Sequence, residues 1–117
     1  MSAYLKSFDE IPSYSDPESH NQLCRDILPK GIVPGLLIGY DKIRGPGNNG
    51  TGRHENFDQV FVVLSGRGSL MRGEERIPVR APCVVHIPRN TSHDVFVAEG
   101  DEIEYVYVNR YDADSKA

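Results

Sequence analysis

The chain has 117 residues, 13 basic and 17 acidic, and a formal net charge of −4. That length suits one domain with a single core, and the negative balance speaks against a nucleic-acid surface. No run of ~18 apolar residues is available to cross a membrane, and the opening Met1-Ser2-Ala3-Tyr4-Leu5-Lys6 lacks the apolar stretch of a secretory signal, so a soluble cytoplasmic protein is expected, with Cys24 and Cys83 reduced.

Residues 1–35 mix Pro, Ser, Asp and His around one short apolar stretch and are read as an irregular arm wrapping the core, with His20 on its surface. From Leu36 the pattern becomes β-like. Strands are predicted at 36–43, 59–64, 68–72, 76–79, 83–87, 94–98 and 102–109, with turn signals such as Arg72-Gly73-Glu74-Glu75 and Glu99-Gly100-Asp101 between them. No helical periodicity competes, so an all-β barrel or sandwich is expected over residues 36–109, followed by a C-terminal tail at 110–117. In the last strand Ile103, Tyr105 and Tyr107 share one face and Val106 and Val108 the other. Apolar residues on both faces predict cover on both sides, with the tyrosines as core or interface aromatics.

Gly45, Gly47 and Gly50 satisfy the G-x-G-x-x-G spacing of dinucleotide-binding loops, but the context opposes that reading. A helix should open at the last glycine, whereas the β-branched run around Val60, Val62 and Val63 follows, and Leu70 stands where a ribose-binding acid is required. The stretch is read as a loop that shapes a pocket entrance.

Two further stretches carry chemistry. In Val84-Val85-His86-Ile87-Pro88-Arg89-Asn90-Thr91-Ser92-His93 an extended run meets an Ile-Pro corner, with a histidine five residues after the proline. Upstream, Gln59-Val60-Phe61-Val62-Val63-Leu64-Ser65-Gly66-Arg67-Gly68 reads as an apolar strand closed by a Gly-rich turn. Together they resemble the cupin superfamily, whose first motif is G-x5-H-x-H-x3,4-E-x6-G and second motif G-x5-P-x-G-x2-H-x3-N. Pro88 and His93 match the second motif. Asn90 replaces its glycine at a position where either residue takes the left-handed conformation, while Pro82 and Val97 replace its first and last residues. In the first motif Gly47, Arg53, Glu55, Gln59 and Gly66 fall at the five marked positions, so both histidines and the glutamate are altered.

The resemblance implies a jelly-roll barrel (double-stranded β-helix) with an irregular N-terminal arm, a homodimer, and a divalent ion such as Fe²⁺, Mn²⁺, Ni²⁺ or Zn²⁺ if the altered ligands still hold one. Glu55, Gln59 and His93 would then supply oxygen, oxygen and nitrogen, opposed by the charge of Arg53. A second register, with the four-residue spacer, makes His54 the second histidine and leaves Gly52 in place of the first. Alternation along a strand puts His54 and Glu55 on opposite faces, and the Arg53/Glu55 register is preferred because it keeps the Phe57-Asp58-Gln59 context. His86, two residues from Val84, is read as facing outward.

The function expected from the resemblance is an enzyme of isomerase, cyclase, lyase or dioxygenase type acting on a small polar or anionic metabolite. Without metal, His93 and Glu55 would exchange protons with the substrate and Arg53 would clamp an anion. The rival is a small-molecule-binding or sensing module that has lost its metal. Neither reading involves nucleic acid or membrane.

Overall fold

Val, Ile, Phe and Tyr at alternating positions favour extended structure over most of the chain. The computed structural model describes residues 4–112. Its strands are β1 (Ser13–Tyr14), β2 (His20–Val33), β3 (Leu36–Asn48), β4 (Phe57–Arg72), β5 (Glu75–Arg80), β6 (Cys83–Ile87), β7 (His93–Val97) and β8 (Glu102–Tyr111), preceded by a 3-10 turn at Phe8–Glu10. Every pairing is antiparallel. β3 pairs with β8, β8 with β4, β4 with β7 and β7 with β3, which closes the barrel and leaves β2, β5 and β6 as outer members of its two walls.

Closure depends on one strand changing partners. Up to Gly66, β4 lies between β6 and β8; from Arg67 onward it pairs with β5, and from Ser69 also with β7. A bulge between Val63 and Ser65 and a φ of 79° at Gly66 make the bend. The sequence pattern assigned a turn between two strands here, but β4 is one strand of 16 residues. The paired neighbours on either flank keep the chain extended through its Gly-rich centre.

Two expected boundaries also move. Residues 20–33 are not an arm but β2, paired with β3 along most of its length after a tight reversal at Pro34-Gly35, where Gly35 has φ 77°. Three register shifts and a φ of 54° at Asn21 break the alternation of β2, which is why its pattern reads as irregular. At the other end β8 continues to Tyr111; residues 113–117 of the expected tail lie outside the described residues. Among the described residues only 4–12 pack as an arm. The Phe8 ring meets Tyr40 edge-on at 4.9 Å, while Arg25 lies over that ring and donates to the Phe8 carbonyl at 2.7 Å.

Cross-strand register arranges the interior in rows. Cys24, Asp41, Tyr105 and Val63 form one, Gly39, Tyr107 and Phe61 the next, then Asn109, Gln59 and Ile87. Ile43, Leu70, Val79, Val95, Val97 and Ile103 fill the rest of the core. The interior thus combines a packed apolar part with a part that carries polar side chains. Cys24 and Cys83 are free thiols on β2 and β6.

Gly66 tests the role of the bend. A Cβ there would sit 1.8 Å from the Glu102 carbonyl oxygen, in a backbone conformation that L side chains rarely adopt. Gly66→Ala is expected to destabilise the protein by about 2 kcal/mol or more, measured by urea unfolding. A loss below about 0.5 kcal/mol would show that the seam between β4 and β8 yields easily.

Candidate functional site

His93 opens β7 immediately after the corner made by Pro88, Arg89 and Asn90. Asn90 has φ 60°, the left-handed conformation expected where the second motif carries glycine. Its N–H donates to the His54 carbonyl at 2.7 Å, and Gly52 and His93 exchange both backbone hydrogen bonds at 2.9 Å. These three bonds fasten the loop before β4 to the start of β7. Asp94, fully buried, extends the fastening: it accepts from Gly50 N–H at 3.0 Å, Asn48 Nδ2 at 3.2 Å and Thr51 Oγ1 at 3.2 Å.

The result is a pair of imidazoles. The rings of His54 and His93 lie 4.9 Å apart, with Phe57 stacked on His54 at 4.4 Å and Phe61 edge-on to His93 at 6.2 Å. His93 Nδ1 is 3.1 Å from the Thr91 carbonyl oxygen. A carbonyl only accepts, so Nδ1 carries a proton, and in the Nδ1–H tautomer Nε2 is the ring's acceptor. Burial, reinforced by the nearby His93, depresses the His54 pKa to about 4, which leaves that ring neutral at pH 7.

Both rings line a cavity of about 210 Å³ shared with Gln59, Phe61, Asn109, Asp41, Gln22 and Tyr107. Gln59 and Asn109 face each other across β4 and β8, with Gln59 Nε2 donating to Asn109 Oδ1 at 2.8 Å. Asp41 on β3 is buried between Cys24 and Tyr105, its register partners on β2 and β8. Burial raises the Asp41 carboxyl pKa, partly offset by the Cys24 thiol, the Tyr105 hydroxyl and the Gln22 amide beside it. The tyrosine hydroxyls of residues 105 and 107 are pushed up for the same first reason. Gly39 belongs to this arrangement, since a Cβ there would fall within 2.5 Å of the Tyr107 ring.

The structure brings His93, Gln59 and His54 together and leaves Glu55 and Arg53 exposed. This reverses the preferred register. Strand alternation from Gln59 would turn Glu55 inward, but β4 begins only at Phe57, and a bend at Glu55 and Asn56 inverts the facing so that His54 enters. His86 is exposed, in line with its outward-facing reading. Asp41, Gln22, Cys24 and Asn109 were not read as site residues. For Asp41 the signal was present: a carboxyl two residues from the apolar Ile43 in a strand marks a charged group on the inner face.

The donor set does not fit the divalent ion that the resemblance implies. Gly52 stands beside both rings where the first histidine would be, Glu55 points away, and what converges is two imidazoles and the amide oxygen of Gln59. Among the described residues no group of three His, Cys, Asp or Glu side chains is placed to hold a metal, whereas tight Zn²⁺ or Fe²⁺ sites use three or four such ligands.

Fold and site together define a small jelly-roll barrel with a polar interior reached at the end where His54 and His93 meet. The cupin domain model matches residues 45–109, more than half of the chain, and the protein belongs to that family. Among solved structures the chain is similar to a predicted oxalate decarboxylase from Thermotoga maritima (TM-score 0.81, 18% identity, covering 92% of this chain and 99% of that one). It is also similar to the polyketide cyclase RemF from Streptomyces resistomycificus (0.80, 14%, 97% and 87%) and to Streptomyces PAC13 with uridine (0.77, 15%, 94% and 83%). No curated protein matches in sequence. No helix among the described residues is long and apolar enough to cross a membrane.

The depressed pKa of His54 has a consequence for stability. Unfolded His54 titrates near 6.5 and the folded residue near 4, so below about pH 6.5 the unfolded chain binds a proton that the folded one refuses. Stability from this residue is therefore constant above that range and falls as pH drops toward 4. Urea unfolding should show wild type losing more stability across this window than His54→Gln, and NMR should place the His54 midpoint near 4. A midpoint near 6.5 would mean that the ring is not desolvated.

Proposed function

We propose that the protein is a metal-independent enzyme that moves a proton next to a carbonyl group of a small polar substrate held in the cavity, as in isomerisation, elimination or cyclisation. The observation that carries this reading is the pairing of neutral His54 with His93, whose Nδ1 faces the Thr91 carbonyl, at a cavity that also holds the buried Asp41 carboxyl. His93 Nε2 takes the proton from carbon, fixed in tautomer and direction by the Thr91 carbonyl behind it. His54 crowds that proton and favours its onward transfer. Asp41, with its pKa raised, donates to or hydrogen-bonds the oxygen where negative charge develops. RemF, a polyketide cyclase, lends support in that its similar barrel belongs to an enzyme.

Glu55 and Arg53, both exposed, lie too far outside this group to act on a substrate held there. The cavity lining also narrows the substrate. Among the described residues no lysine or arginine lines the cavity, so an anion finds no countercharge from them there.

A panel of small hydroxy-carbonyl compounds in D₂O, followed by proton NMR, tests the reading. Wild type should wash deuterium into the carbon beside the carbonyl of at least one compound. His93→Gln should slow this by about 10²- to 10⁴-fold, while Glu55→Gln and Arg53→Ala leave it unchanged. Binding of a panel member without any wash-in would favour the alternative, a binding or sensing module.

We further propose a homodimer formed through the outer face of the larger wall. Val60, Val62, Val84, Val106 and Val108 lie side by side across β4, β6 and β8 on that face, with Val84 68% exposed and neighbouring Leu64 52% exposed. Light scattering should give twice the chain mass, and Val84→Asp with Val106→Asp should reduce it to one. A monomeric wild type would end this proposal.

A further inference from the structure

Resting on the reading of this cavity as the working site, we propose that its ligand is an uncharged, polyhydroxylated ring of monosaccharide or cyclitol size. The first argument is the balance of hydrogen-bonding groups. Gln22 and Gln59 are each 6% exposed, and each donates its amide to an asparagine, Asn49 and Asn109 respectively. In both cases Oε1 is left without a partner, as is Oδ1 of Asp41, which is 3% exposed. With the Nδ1 proton directed at the Thr91 carbonyl, Nε2 in that tautomer of His93 adds a further acceptor. A buried acceptor left unpaired costs about 1–3 kcal/mol, so several of them around one cavity select a ligand that brings several O–H or N–H donors. A site built in this way discriminates strongly against analogues lacking those donors.

Charge and size narrow the class. Asp16 and Asp41 line the cavity and, among the described residues, no lysine or arginine does, which penalises phosphates and carboxylates through desolvation without a partner. An engineered cavity of about 150 Å³ takes benzene; this one, at about 210 Å³, has room for a six-membered ring with its hydroxyls. Phe61 and Tyr107 supply aromatic surface for the C–H face of such a ring, while the amides and Asp41 address its edge.

The test uses the full chain, calorimetry and the imidazole ¹⁵N signals of His54 and His93, with three probe sets. These are neutral hexoses, pentoses and inositols; their phosphate esters and uronates; and rings without donors, namely cyclohexanone and permethylated hexoses. At least one neutral polyol should bind and shift both imidazoles, with its anionic counterpart about tenfold weaker or worse and its permethylated form inactive. Gln22→Met and Gln59→Met should each weaken that binding about three- to tenfold. If either variant fails to fold, the ranking of probes on wild type decides alone. Tighter binding of anionic or donor-free probes, or no response to any neutral polyol, overturns the ligand class. Deuterium wash-in with a compound outside the neutral set would leave the proton-transfer reading standing while removing this one; silence in both experiments would remove both.

Discussion

The change of partners along β4 is the constraint from which the rest of the site follows. A strand paired with β6 and β8 in its first half and with β5 and β7 in its second must bend, and the bend at Gly66 directs β7 across the barrel toward β3. The contact of β7 with β3 is brief, at Gly47 with Val97 and Asn48 with Phe96, and beyond it the seam passes into an irregular loop. The loop keeps pace with β7 through Asn49 N–H to the Val95 carbonyl and the paired bonds of Gly52 and His93, with Asp94 gathering its donors from behind. His54 is positioned at the end of that sequence of contacts. Its placement is set by main-chain bonds, which makes the two-imidazole geometry a property of the barrel's closure.

The fold was legible because its signals are local. Alternation, Gly-rich turns and the Ile-Pro corner mark strands and their ends without knowledge of partners, and His93 and Gln59 sit in motif positions that those strands carry. What was not legible depends on partners or on irregularity. β2 is held by β3 across three register shifts, so its own pattern never shows a clean period. The continuity of β4 through Gly66 is likewise enforced from its flanks. His54 and Glu55 could not be separated by alternation because the residues between them and β4 are not strand, and two bend positions are enough to exchange the faces.

Replacing metal ligands alters what the interior can select. A divalent ion supplies most of the charge in a site and draws anionic groups toward it. Here Gly52 leaves one position without a side chain, Glu55 is turned out, and the remaining titratable groups of the lining are carboxyls, imidazoles, a thiol and tyrosine hydroxyls. With the sign of the field changed, the proposed ligand for the same barrel is neutral and rich in donors. Burial keeps the tyrosines protonated and raises Asp41, so hydrogen bonding can set recognition with little opposing charge.

The proximity of the imidazoles also limits how many protons the site carries. His54 already resists protonation through burial, and in the proposed reaction a proton taken by His93 would place a positive charge next to it, which lowers its affinity further. The pair therefore accepts one proton at a time. That proton cannot be shared stably between the rings, so it must return to the substrate or pass to solvent at the mouth. A base that binds its proton too firmly would stall in the protonated state; a neighbour kept neutral by burial, 4.9 Å away, shortens that state. Under the proposed proton transfer, the desolvation that costs stability below pH 6.5 also keeps His54 from holding the proton that His93 takes up.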